Sequence, residues 1–529
     1  MLEYTHRADF AGSLYGVNPA APVLDLPGVT TVVDLADIAE PVDLAVIALP
    51  AKSVSDVVDQ CAALGVGDRL PRRVWRRQPV RISKRGGKMT QPYQYPPQRE
   101  FIEPDWRRIP GYRVVDESDW LNARWQRQHT VRNPAAFKQA LGDLLPDSLA
   151  ESIRKDQAKY ATMSMGIPPY MIATMRVEDL WRDPVRRYMA PAFDDRAKEF
   201  PSHPTARQDT LREHEMWVAE GLIHKYPTKV LVEFLTTCPQ YCAHCFRMDL
   251  IGLDVPQVAK RRIAGRGHDR FADILDYLRA TPSVRDVVIS GGDVANAPIN
   301  QLEDFLVPLF AIESIRDVRL ATKGIIGLPQ HFLQDDVLRG MERIAAAALA
   351  NRVELSIHAH INHANSVTPL VAKAVGAMLD LGVRDVRLQG VLLRGVNDTT
   401  EDLLDLCFTV RDQARIMPYY LHMCDLVPNA EHWRTTLGQA QELQQSIMGY
   451  LPGFATPRLM CEPPMLGKRL VHQEKSYDRV RGISYWTKNY RTSMELDDAD
   501  ALTREYRFYD PVDLLPEEGK EYWRQYRRE

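Results

Sequence analysis

The chain has 529 residues, with 45% hydrophobic and 26% charged side chains and a formal net charge of -3, the balance of an ordinary folded protein rather than of a disordered one. That charge gives no global pull towards nucleic acid or an anionic membrane, and no apolar run approaches the span of a bilayer. At 60.3 kDa roughly two to four domains are expected, and Glu3, Arg7 and Asp9 stand where a signal peptide is apolar, so a cytoplasmic location is expected.

Residues 8–68 alternate short apolar runs with turn signals: Ser13–Val17 before Asn18 and Pro19, Thr30–Leu35, and Asp43–Leu49 closed by Pro50. The pattern predicts a small Rossmann-like α/β unit. Its strings YGVNP and VDLAVIALPA resemble part of the CoA-binding domain of ADP-forming acyl-CoA synthetases. The glycine-rich first turn that would cradle phosphates is missing, so residues 1–70 read as a fragment not expected to bind CoA. Residues 71–100 carry Arg72, Arg73, Arg76, Arg77, Arg81, Lys84, Arg85 and Lys88 among Pro71, Pro79, Gly86 and Gly87. This reads as a basic, solvated linker.

Residues 101–225 are rich in tryptophan, arginine and helix-compatible stretches such as Pro134–Leu144 and Leu149–Ala161, a helical layer. From there strands alternate with amphipathic helices. The predicted strands are Val230–Leu235, Asp286–Ser290, Val318–Ala321, Val353–Ile357, Val386–Leu392 and Ile416–Leu421. Phe271–Ala280, Gln301–Ile312, Asp336–Ala350, Pro369–Leu381 and Thr400–Gln413 are the helical segments between them. Six βα repeats over residues 226–426 predict an α/β fold, a parallel sheet curled as a partial (β/α)6 TIM-type barrel with function at the strand C-termini. Residues 427–529 form a C-terminal region.

Just past the first of those strands, Cys238, Cys242 and Cys245 stand in the spacing C-x3-C-x2-C. Three thiolates at these intervals suit a [4Fe-4S] cluster with one iron left open, because sulfur is the soft ligand such clusters select. A structural zinc site needs a fourth ligand, and the near candidate His244 lies inside the motif. Disulfides are disfavoured by seven cysteines in 529 residues without a secretory signal. Cys61, Cys407, Cys424 and Cys461 read as buried apolar thiols.

The octet Cys238-Pro-Gln-Tyr-Cys242-Ala-His-Cys245 after a first barrel strand resembles the signature of the radical S-adenosylmethionine (SAM) superfamily. The resemblance implies that SAM occupies the open iron and that Ser290, Gly291, Gly292 and Asp293, ending the second strand, hold its methionine part. Further stretches resemble the lysine 2,3-aminomutase family, which adds pyridoxal 5'-phosphate (PLP): Asp119-Trp120, Arg124-Trp125-Gln126, Tyr226-Pro227, RDVVISGGD, HINHAN from His360, GVLLRGVND from Gly390 and PYYLHMCDL from Pro418. By that resemblance Lys468, in Glu462-Pro-Pro-Met-Leu-Gly-Lys468, is the lysine to which PLP attaches, although the family's run of glycines has shrunk to Gly467. Lys225, Tyr226, Lys229 and Gln389 fall in the PLP and SAM pocket. Arg247 matches the arginine for the substrate carboxylate, and Asp425 the first of two aspartates for a substrate ammonium. The second aspartate falls at Cys461, with Glu462 beside it. The family's C-terminal zinc cysteines are absent, so no zinc is expected.

Asn362 reads as a pocket residue or as a group satisfying backbone. His358, His360 and His363 offer a weak metal signal, the first two aimed the same way by strand alternation. The resemblance implies a radical SAM, PLP-dependent 2,3-aminomutase acting on a basic amino acid such as lysine or arginine, reduced by a flavodoxin or ferredoxin and forming a homo-oligomer. Two alternatives remain: a radical SAM enzyme that oxidises, cleaves or epimerises its substrate, and a non-catalytic iron-sulfur protein.

Overall fold

The computed structural model describes residues 99–526 except 265–266, together with two short strands nearer the N-terminus. The chain divides into two compact units, Met1–Gln94 and Tyr95–Glu529. In the first, strand β1 (Leu14–Val17) pairs in parallel with β2 (Val29–Val32), Leu14 opposite Val29, where two of the expected strands fall. The expected strand Asp43–Leu49, Cys61 and most of the basic stretch lie outside the described residues.

The second unit is built on one ten-stranded sheet. Its strands are β3 (Trp217–Ala219), β4 (Leu222–Tyr226), β5 (Lys229–Leu235), β6 (Asp286–Gly291), β7 (Asp317–Thr322), β8 (Glu354–Ala359), β9 (Asp385–Leu392), β10 (Met417–Met423), β11 (Arg458–Cys461) and β12 (Arg469–Leu470). Each lies beside its sequence neighbour, and β5 to β11 run parallel throughout. β4 and β12 join antiparallel at the two sides. This is the expected partial barrel with a seventh parallel strand, β11. The strand β4 runs across position 225, so the helical layer and the barrel belong to one unit.

A period of two along each strand makes the barrel a container. In β7, Val318 and Leu320 are buried beneath the outer helices, whereas Asp317, Arg319 and Ala321 face inwards and line the central cavity. In β6 the outward pair is Val287 and Ile289, and Asp286, Val288 and Ser290 point in. Burying each outward valine or isoleucine contributes about 1.5–3 kcal/mol, which lets the inward stripe carry polar groups.

The helices start and stop where capping chemistry directs. Thr368 accepts from Val371 N ahead of Pro369–Asp380, with proline at the first turn, and Thr399 accepts from Asp402 N ahead of Thr400–Phe408. These are side-chain caps on otherwise unsatisfied N–H groups. The expected helix Thr400–Gln413 ends at Phe408 and widens into a π turn, Thr409–Gln413. Helix Asp335–Ala350 buries Val337, Met341, Ile344, Ala345 and Ala348, one face at helical spacing. At Gly340 a Cβ would run into Ile299 of helix Ile299–Phe310, so a glycine is required for these helices to cross so closely.

The helical layer contains Pro134–Leu141 and Asp147–Lys159. Trp106 stacks on Trp120 at 5.1 Å, and Tyr188 bonds Ser366 at 3.1 Å, tying the layer to the turn after β8. A small antiparallel sheet, β13 (Ser476–Asp478), β14 (Ile483–Trp486) and β15 (Tyr506–Tyr509), follows the barrel. No helix among the described residues is long and apolar enough to cross a membrane.

Candidate active site

The strand C-termini surround a cavity of about 610 Å³. Cys238, Cys242 and Cys245 all line it, on the loop after β5. Backbone bonds from Tyr241 N to Gly166 O (3.0 Å) and from Ala243 N to Tyr188 O (3.3 Å) pin this loop to the helical layer. Burial pushes the Cys238 thiol up, and burial together with the neighbouring Cys242 pushes Cys245 up to about 12. Three half-buried thiols lining one cavity fit a group that binds thiolates, and loading it would release protons. One ring nitrogen each of His244 and His360 lies with the Cys242 sulfur in a set of three atoms mutually within 4.8 Å.

The turn after β6 is built around its two glycines. Gly291 has φ +88, and a Cβ there would stand 2.6 Å from Leu235 O; at Gly292 it would strike the backbone of Thr237. Their smallness lets the β5 and β6 ends pack together, with Asp293 N bonding Thr237 O at 3.0 Å. The Asp293 carboxylate is fully engaged inside the protein, accepting from Thr322 Oγ1 (2.6 Å), Ala295 N (2.9 Å), Lys323 N (2.6 Å) and Gly324 N (2.8 Å). It braces the ends of β6 and β7 against each other. Ser290 Oγ accepts from Arg247 Nη1 at 3.2 Å.

Lys468 sits between β11 and β12 with its side chain in the cavity. Burial lowers its pKa, helped by the cations of Arg319, Lys225 and Lys229 and opposed by Glu462; an amine that loses its proton readily is what imine chemistry requires. Its backbone N donates to Tyr226 Oη at 3.0 Å. The single glycine beside it is obligatory: Gly467 has φ +81, and a Cβ would lie 2.9 Å from the Tyr226 ring. Lys229 is exposed at the cavity rim, its ammonium 4.7 Å from the Tyr226 ring centroid.

Lys225 is buried and paired with Glu462 at 2.7 Å. Burial would raise the Glu462 pKa, but the ammonium groups of Lys225 and Lys468 outweigh it and hold Glu462 down to about 2. Asp425, in contrast, is pushed up to about 8 by burial and by the charge of Glu462. Alternation along β11 turns Cys461 outwards, fully buried, and aims Met460 and Glu462 into the cavity. The second acidic group near Asp425 is therefore Glu462 and not the residue at 461.

Arg247 lines the cavity with its fork already filled. Its Nε and Nη2 bond Glu213 at 2.7 and 3.2 Å, and Glu233 lies 3.6 Å away. Burial, aided by Glu213, raises the Glu233 pKa to about 8. Glu213 precedes a short 3-10 turn, His214–Met216, and carries no sequence signal of its own.

Gln389 lines the cavity and its Oε1 pairs with His358 Nδ1 at 2.8 Å. Asn362 is spent on structure: its Oδ1 accepts from Val391 N at 2.9 Å. His363 caps its own turn through Asn365 N at 3.1 Å, whereas His358 and His360 both face the cavity. With His422 they are held neutral by burial, each lowered to about 3. Cys407, Cys424 and Cys461 are buried free thiols.

Residues 1–81 match the family model described as a CoA binding domain. The L-lysine 2,3-aminomutase of Clostridium subterminale is 30% identical over 363 residues, 68% of this chain and 79% of its own. That of Fusobacterium nucleatum is 28% identical over 355 residues, 66% of this chain and 76% of its own. A radical SAM methyltransferase structure from Sphaerobacter thermophilus aligns with 46% of this chain and 69% of its own at 15% identity and a TM-score of 0.31, too slight a likeness to bear on the fold. Identity at the level of the clostridial enzyme, sustained over most of that enzyme's length, makes this chain a member of the lysine 2,3-aminomutase family.

Proposed function

We propose that this isomerase is a radical SAM, PLP-dependent 2,3-aminomutase that moves the α-amino group of a basic amino acid, lysine or arginine, to the neighbouring carbon. The observation that carries the reading is the sharing of one cavity by three cysteine thiols and a half-buried lysine whose pKa is lowered. When bound, an iron-sulfur cluster with SAM supplies a hydrogen-abstracting radical, and PLP supplies an electron-withdrawing ring for the migrating nitrogen.

The chain's own residues hold and orient. Cys238, Cys242 and Cys245 offer three soft ligands and leave room for a fourth. The Ser290–Gly292 turn offers backbone at the cavity wall for SAM. Lys468 holds PLP at its amine, Tyr226 fixes the lysine's backbone, and Lys229, with Lys225 behind it, presents positive charge to the phosphate. Arg247 receives the substrate carboxylate once Glu213 yields the fork, a planar pairing suited to a guanidinium. Asp425 and Glu462 hold the substrate's cationic end, and the neutral histidines add no positive charge to compete with it. A one-electron donor of the flavodoxin or ferredoxin type is expected.

The decisive experiment is borohydride reduction of anaerobically purified protein supplied with PLP, followed by peptide mapping. A pyridoxyl group on Lys468, with β-lysine or β-arginine formed from the parent amino acid, is the expected result. An intact cluster without that modified peptide rules out the aminomutase chemistry proposed here. The grouping of Cys242, His244 and His360 favours a second reading, a zinc site of mixed sulfur and nitrogen ligands. Metal and acid-labile sulfide analysis separates the two.

A further inference from the structure

Lys323 directly follows β7, with its side chain buried at 5% exposure. Its ammonium lies 3.1 Å from Cys242 Sγ and 3.3 Å from Met189 Sδ, over the Tyr188 ring at 4.6 Å from the centroid. Among the described residues these partners are a thiol, a thioether and an aromatic face, so the charge is spent on no carboxylate. The position is built from both sides. Lys323 N donates to Asp293 at 2.6 Å, and Lys323 O accepts from Gln240 Nε2 at 2.8 Å, Gln240 itself lying between Cys238 and Cys242.

We propose that Lys323 is a positioning residue that raises the reduction potential of the iron-sulfur cluster by donating to the Cys242 sulfur and placing a buried positive charge beside it. The inference rests on the cluster reading above. An N–H donor withdraws charge from a ligand sulfur, and a cation at this distance in a poorly screened interior stabilises the state that carries the extra electron. The electron comes from an external one-electron donor, and Lys323 changes only how readily it is accepted. Asp293, whose carboxylate accepts from four protein donors, acts through Lys323 by fixing the start of its stem.

The test uses the full chain, reconstituted anaerobically, as wild type, Lys323→Met, Lys323→Gln and Lys323→Arg. Iron and sulfide content, midpoint potential by EPR-monitored titration, and SAM binding are measured for each. At the poise where wild type is half reduced, the Met and Gln variants are expected to show at least a tenfold lower ratio of reduced to oxidised cluster, about 59 mV for one electron. Lys323→Arg stays close to wild type. A neutral variant with full cluster content and the wild-type potential overturns the proposal, and if it also loses SAM binding the lysine belongs to SAM. Failure of both neutral variants to take up a cluster that Lys323→Arg holds overturns it in favour of a role in assembly. A wild-type chain that takes up no iron and sulfide refutes the cluster reading itself, and this role with it.

Discussion

Asp425 couples the stability of this chain to pH. Burial and the charge of Glu462 push its carboxyl from 3.8 to about 8, so between those values the folded chain keeps a proton that the unfolded chain has released. The folded state then binds more protons than the unfolded one, and stability falls as pH rises across that window. At about 1.4 kcal/mol per unit, the accumulated cost approaches roughly 6 kcal/mol. It is absent below about pH 4 and complete above about pH 8. Asp425→Asn keeps the shape and removes the titration. In thermal unfolding without cofactors, the variant should lie within about 1 kcal/mol of the parent at pH 4.5 and gain on it steadily to pH 8. A difference between the two that stays constant over this range refutes the reasoning. The same carboxyl must ionise to hold a cationic substrate, so the variant that gains stability is expected to lose that substrate.

Gly467→Ala places a methyl group against the Tyr226 ring at a residue with φ +81, a strain of about 1–3 kcal/mol. The yield of pyridoxyl-Lys468 at limiting PLP should drop, and a yield equal to wild type argues against the loop geometry. Glu213→Gln frees the guanidinium of Arg247 from a bidentate partner. The KM for the amino acid is expected to fall about tenfold, worth about 1.4 kcal/mol, and an unchanged KM places the substrate carboxylate elsewhere. Glu462→Gln leaves Lys225 as a buried cation without its 2.7 Å partner. A loss of about 3–5 kcal/mol should appear as a lower melting temperature, and an undiminished one shows that the pair is not buried in solution.

The barrel strands are legible because each alternates apolar residues for the outer helices with residues that face the cavity, as Val318 and Leu320 do beside Arg319. The thiols are legible from spacing alone. β11 is not, since Arg458–Cys461 is four residues long and lies between β10 and the two-residue β12. Missing that strand hides its alternation, and with it the inward aim of Glu462. Glu213 and Lys323 escape for a different reason. One precedes a short turn and the other follows a strand, and each takes its meaning from a partner far along the chain, Arg247 in one case and Cys242 in the other. Asn362 and His363 show the converse, residues inside a telling string whose side chains are engaged by the fold, Asn362 by Val391 N and His244 and His363 by its own turn.

Among the described residues the sheet does not close by strand pairing, and β3 and β12 are its edges. What joins the two sides is the bond from Lys468 N, beside β12, to Tyr226 of β4, and the ion pair of Lys225 with Glu462. The cylinder is thus laced shut by a few side chains, and the reactive lysine is one of the eyelets. The amine that would take a cofactor therefore sits on the seam itself, next to the one backbone bond and the one ion pair named above that cross it.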